Sequence, residues 1–129
     1  MKNSLLLMLF LALLLIIACN KKTKTETEDL YLPEVSNKIT VNTYTKVTAV
    51  TALVSDSGTK YLLGLAPHAS YFYFDRSIAN GEAYYKALLH SMERFKPYKF
   101  YIQEHTGAVV AIVYAAPQEA EAFYNAWER

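Results

Sequence analysis

The chain is 129 residues long, with 13 Lys or Arg against 12 Asp or Glu and a formal net charge of +1. That balance excludes nucleic-acid or acidic-lipid binding driven by bulk charge, which needs a strong basic excess. The length admits one small domain and not two, and a single cysteine excludes an intramolecular disulfide.

The chain opens with Lys2 and then an uncharged apolar run from Leu5 to Ala18. The run is shorter than the roughly 20 residues a membrane-spanning helix needs, and it fits the hydrophobic region of a secretory signal. It closes on Ile16-Ile17-Ala18-Cys19, which resembles the lipobox of bacterial lipoproteins. The resemblance implies cleavage before Cys19, a signal peptide over 1–18, and lipid on the Cys19 thiol. Acylation also accounts for an unpaired cysteine in an exported chain. Two or more acyl chains anchor a protein stably, so the membrane is the first expected partner. Lipoproteins kept in the inner membrane carry Asp after the cysteine. Asn20 stands there instead, which implies the outer membrane, facing the periplasm. Removing Lys2 with the signal leaves basic and acidic residues in balance.

From Cys19 to Lys38 the composition turns to Lys, Thr and Glu, with Pro33 and little apolar periodicity. Such a segment buries too little surface to order itself and reads as a flexible tether. Lys21, Lys22 and Lys24 lie close enough to the anchor to touch lipid phosphates or to be simply solvated. The globular domain is then expected over 39–129.

Ile39 to Val54 is dense in β-branched residues and predicts a strand, too long to be straight and therefore bent or bulged. Ser55-Asp56-Ser57-Gly58 is a turn, with Tyr61 to Leu65 as the returning strand. Pro67 marks a loop. Ser70 to Asp75 alternates, with Phe72 and Phe74 expected inward and Tyr71 and Tyr73 outward. Asn80 to Phe95 predicts a helix with Asn80 as N-cap, an apolar face through Tyr84, Leu88 and Phe95, and Pro97 as its stop. Tyr98 to Glu104 and Ala108 to Tyr114 predict two strands around the His105-Thr106-Gly107 turn. Pro117 opens a last helix, whose Ala120, Phe123, Tyr124 and Trp127 form a stripe expected to dock on the sheet.

The order predicts a mainly β domain with two helices. Its β-β-β-α-β-β pattern is similar to small secreted OB-fold-like domains, as is the stretch Asn80 to Leu89 with Lys96-Pro97-Tyr98 after it. The resemblance implies a five-stranded, partly open barrel, with the C-terminal helix as an addition. The alternative is an α+β antiparallel sheet with both helices on one face. The OB-like arrangement implies a ligand or partner face at Tyr61, Tyr71 and Tyr73, with His68 and Arg76 at its edges. Aromatic platforms bind by stacking, although tyrosine is also a plain strand former.

His68, His90 and His105 have no metal-ligand spacing, so neither a metal nor another cofactor is expected. No nucleophile elbow or phosphate loop occurs. Two readings remain. One is a non-enzymatic, lipid-anchored module binding an envelope protein or glycan. The other is a small envelope hydrolase using His68, Asp75, Glu104 and His105, provided these converge in a pocket.

Overall fold

The computed structural model describes residues 30–129; the signal segment, Cys19 and the first part of the expected tether lie outside the described residues. The domain is mainly β, with six strands and two helices. In chain order these are β1 (Thr43–Thr48), β2 (Val50–Ser57), β3 (Lys60–Leu65), β4 (Tyr71–Asp75), α1 (Gly81–Arg94), β5 (Tyr98–Gln103), β6 (Ala108–Tyr114) and α2 (Pro117–Trp127).

The expected long first strand appears as two, and its first residues, 39–42, form a turn instead. It divides at Ala49, a fully buried residue whose carbonyl accepts the Ala66 N–H at 3.0 Å. The sheet order is β1-β5-β6-β4-β3-β2. Two antiparallel triplets, β1-β5-β6 and β2-β3-β4, meet along a short parallel pairing in which Tyr73 faces Ala108 and Phe74 faces Val109. The five expected strands are therefore six, and no ladder between β1 and β2 closes them into a barrel. The β2–β3 hairpin turns on Gly58 at φ 56, a left-handed position that glycine occupies without a Cβ penalty.

The core is apolar and aromatic. Leu63, Leu65, Phe72 and Phe74 from β3 and β4 meet Tyr84, Ala87 and Leu88 of α1. Tyr98, Phe100, Ile102, Val109, Ala111 and Ile112 complete it from β5 and β6. A shift of register between Tyr101 and Ile102 changes the pleat of β5 against β6. It leaves Ala111 and Ile112 buried as neighbours, which fits the continuous apolar run of β6.

Helix α1 obeys its expected stop, with Pro97 following a left-handed C-cap at Phe95 (φ 50). Its start differs from expectation. Asn80 is left-handed at φ 62 and makes no side-chain cap. The constraint comes from Gly81, where a Cβ would lie 2.0 Å from the Arg76 carbonyl oxygen. The close approach of two backbones sets this entry, and Asn80 contributes its carbonyl, which accepts the Tyr84 N–H at 3.1 Å. At the other end Ser91 is buried and joins three segments: its Oγ accepts the Val50 N–H at 2.9 Å and donates to the Lys96 carbonyl at 2.7 Å.

Two other expectations change. Helix α2 buries none of its residues, and Tyr124 and Trp127 are 40% and 48% exposed. Its stripe meets Phe95 at the end of α1, with ring centroids 5.6 Å away for Phe123 and 4.9 Å for Trp127. At the N-terminal side, Leu30, Leu32 and Val35 pack against the core, and the Leu30 carbonyl accepts the Tyr114 hydroxyl at 2.6 Å. Part of the segment read as tether thus lies on the domain, because three apolar side chains find partners that only the folded sheet creates.

Candidate functional site

Partners across an antiparallel ladder share a face, so register decides which tyrosines stand together. Leu62 pairs with Tyr73 and Gly64 with Tyr71, while Tyr61 pairs with Phe74. Tyr71 and Tyr73 therefore project from one face, at 58% and 51% exposure, with Leu62 and the exposed Val54 alongside on β3 and β2. Phe72 and Phe74 point the other way and are buried. The alternation read along β4 holds.

Tyr61 does not join that face. It lies on the core side, its ring 6.4 Å from Phe74 and 5.1 Å from Tyr85. Arg76 belongs to this second cluster. Its guanidinium sits 4.0 Å over the Tyr85 ring and grips Glu82 with two hydrogen bonds, Nε to Oε2 at 2.7 Å and Nη2 to Oε1 at 2.8 Å. The hydrogen bond to Glu82 is the main cause holding the Arg76 pKa up, and that to Arg76 the main cause holding the Glu82 carboxyl below its ordinary value. A guanidinium committed in this way clamps β4 to α1. The expected five-residue face thus resolves into a Tyr71–Tyr73 pair on one side and a Tyr61–Arg76 cluster on the other.

His68 is exposed in the loop before β4, edge-on to the Phe72 ring at 5.8 Å, and its Nε2 meets the Lys46 ammonium. Asp75 ends the same strand, four residues beyond Tyr71 and so about 13 Å along it. Its Oδ1 accepts from the Thr59 hydroxyl at 2.8 Å and from the Ser77 N–H and hydroxyl at 2.9 and 2.7 Å. These bonds, Ser77 first, hold its pKa down and make Asp75 the organiser of the turn into α1. Glu104 and His105 sit exposed in the β5–β6 turn, where His105 is left-handed at φ 66. No hydrogen bond joins any two of these four residues. Among the described residues no group of three His, Cys, Asp or Glu is placed to hold a metal ion, and no helix is long and apolar enough to cross a membrane.

One surface feature has no counterpart in the sequence reading. A cleft of about 700 Å³ opens between α2 and the joint of β1 with the β3–β4 loop. Lys46, Pro67, Phe123 and Trp127 line it, with Glu119 at its margin. Helical spacing revealed the Phe123–Trp127 stripe but not that the stripe would stand partly clear of the sheet.

No protein-family model matches the chain, and no curated protein matches it. Among solved structures it is similar to pro-protein-glutaminase, at 10% identity and a TM-score of 0.57, over 65% of this chain and 30% of that one. A mutant of the same proenzyme matches at 10% identity and a TM-score of 0.52, over 61% of this chain and 29% of that one. The likeness is one of fold, and this chain spans less than a third of the length of those it matches.

Proposed function

We propose that the protein is a lipid-anchored envelope lipoprotein, held by acylated Cys19 in the outer membrane facing the periplasm. Its domain acts as a non-enzymatic binding or protein-interaction module. The observation that carries the binding role is the Tyr71–Tyr73 pair, two aromatic rings left half in solvent beside Leu62 and Val54 on a sheet whose opposite face is packed. Exposed rings on a rigid strand offer broad contact area at low entropic cost, suited to an envelope protein or glycan.

The same reading treats β1 and β2 as one bent strand of a partly open, OB-like barrel. Supporting it are the single-residue break at Ala49, the placement of β1 and β2 at opposite ends of the sheet, the parallel β4–β6 pairing, and a helix directly after β4. In that arrangement the Tyr71–Tyr73 face is where ligands cross.

Two measurements test the proposal. Intact mass and membrane fractionation of the wild type beside Cys19→Ala should show a processed, acylated, membrane-bound protein and its loss in the variant. A soluble protein of full-length mass refutes the anchor. Binding of envelope proteins and purified envelope glycans should fall at least tenfold in Tyr71→Ala/Tyr73→Ala, and equal binding by both proteins refutes the face.

A further inference from the structure

The end of the domain where β6 stops gathers aromatic side chains that the fold leaves half in water. The Tyr114 hydroxyl there donates to the Leu30 carbonyl, and the Lys96 ammonium lies 5.4 Å from the centre of the Tyr114 ring. Next to Lys96 stands Phe95, whose ring meets Trp127 at 4.9 Å and whose carbonyl accepts the Tyr124 hydroxyl at 3.3 Å. These contacts run unbroken from Leu30, where the described residues begin, to the last turn of α2. Tyr31, beside Leu30, is 83% exposed, and Tyr114, Tyr124 and Trp127 also stand partly in water. Tyrosine and tryptophan favour the boundary between lipid and water, where the ring meets acyl chain and the polar atom stays hydrated. Over the last turns of α1 and α2, Glu93, Glu121 and Glu128 offset Arg94, Lys96 and Arg129, so the rings and not net charge set what this end prefers.

We propose that this end of the domain docks on the membrane that holds Cys19, its exposed rings seated in the headgroup layer of a zwitterionic bilayer. The inference rests on the lipid anchor proposed above, and the occupant follows from where the chain enters the domain. Cys19 lies eleven residues before Leu30, which keeps the anchor within about 37 Å of this end. Leu30, Leu32 and Val35 are packed on the domain, so the entry point stays here. A linker this short holds the rings at about millimolar effective concentration near the bilayer, so weak insertion of a few of them suffices. The consequence reaches the other end of the molecule. Tyr73 faces Ala108, at the start of β6 and about 20 Å along it from Tyr114. A domain seated on its α2 end therefore carries the Tyr71–Tyr73 face clear of the headgroups.

Trp127 is the only tryptophan in the chain, so its emission reports this end alone. The test anchors the full-length chain in phosphatidylcholine vesicles, plain or brominated near the carbonyl end of the acyl chains. Bromine there quenches only an indole that reaches the lipid. Trp127 emission is expected to fall at least about twofold in brominated vesicles, as for a ring at the interface. Tyr31→Ser/Tyr124→Ser should remove about half of that quenching with an unchanged circular dichroism spectrum. In Trp127→Phe/Tyr73→Trp the indole stands at the far end, where brominated lipid should leave it untouched and aqueous iodide should quench it. Equal Trp127 emission in the two vesicles overturns the proposal, and so does quenching that the tyrosine substitutions leave whole. Equal quenching of the far-end indole also overturns it, since the domain would then lie on the bilayer without orientation. Intact mass, read first, separates the docking from the anchor. If Cys19 carries no lipid the anchor reading fails, and its thiol, the only one in the chain, is coupled to a maleimide-bearing lipid so that the quenching still decides the docking.

Discussion

Substitution of Ser91 by alanine is expected to destabilise the domain far more than the loss of one hydroxyl suggests. Ser91 is fully buried on α1 and joins the start of β2 to the turn after the helix. Its removal strands the Val50 N–H, whose residue is 1% exposed and has no water to turn to. An orphaned buried donor costs about 1–3 kcal/mol. The Lys96 carbonyl loses its donor too, but the half-buried Lys96 leaves room for water and this part is smaller. Alanine recovers about 0.5 kcal/mol through its better helix propensity. The net loss is about 2 kcal/mol, equivalent to a fall of roughly 1.5 M in the urea midpoint for a domain of this size. Urea unfolding followed by circular dichroism measures it, with Ser57→Ala on exposed β2 as a control expected to stay within about 0.5 kcal/mol. A Ser91→Ala midpoint indistinguishable from the control would refute the claim that this hydroxyl holds β2 to α1.

Asp75, Glu82 and Glu119 all have native pKa values below their ordinary 3.8 or 4.5. Their stabilisation is therefore whole above those values and is lost as pH falls through the lowered native ones. In an acid titration of unfolding the share of stability owed to these carboxylates should decline only below about pH 5, and less steeply in Glu119→Gln. His90 donates to or accepts from the Tyr98 hydroxyl at 2.7 Å, and burial, helped by Lys96 and Arg94, lowers its pKa from 6.5. The unfolded chain takes up that proton first, so stability should drop as pH falls below 6.5 and level off once the native imidazole is charged. Comparing urea midpoints across this range in wild type and His90→Gln checks it; an equal slope in both removes His90 as the cause. Gly81→Ala forces a Cβ to within 2.0 Å of the Arg76 carbonyl and should cost more than about 2 kcal/mol, whereas Gly58→Asn, with open space around its Cβ, should stay within about 1 kcal/mol. Thermal unfolding distinguishes the two.

What the sequence disclosed follows from how far each signal reaches along the chain. Alternation is a property of one strand, and it placed Phe72, Phe74, Tyr71 and Tyr73 correctly. Whether Tyr61 shared a face with Tyr71 depended on register across the β3–β4 ladder, and Tyr61 falls opposite Phe74. No pattern within either strand carries that parity. The helix stop at Pro97 was local and legible. Its start was set by contact between Gly81 and Arg76, so Asn80 looked like a cap without acting as one. The stripe on α2 was equally plain in its spacing, yet its depth of burial depended on where Phe95 would stand.

The division of the first strand at Ala49 also orders events in time. β2, β3 and β4 follow one another and can pair as soon as they exist, through contacts close in sequence. β1 comes before all of them, yet Thr48 pairs with Tyr98 and Thr43 with Gln103. Pairings so distant slow folding, because the intervening loop must be closed first. While α1 and β5 are still unmade, β1 is an unpaired strand fused to a finished meander, the kind of edge that recruits a strand from another chain. In the interval between β4 and β5 neither edge of β1 is paired, and the arrival of β5 covers one of them.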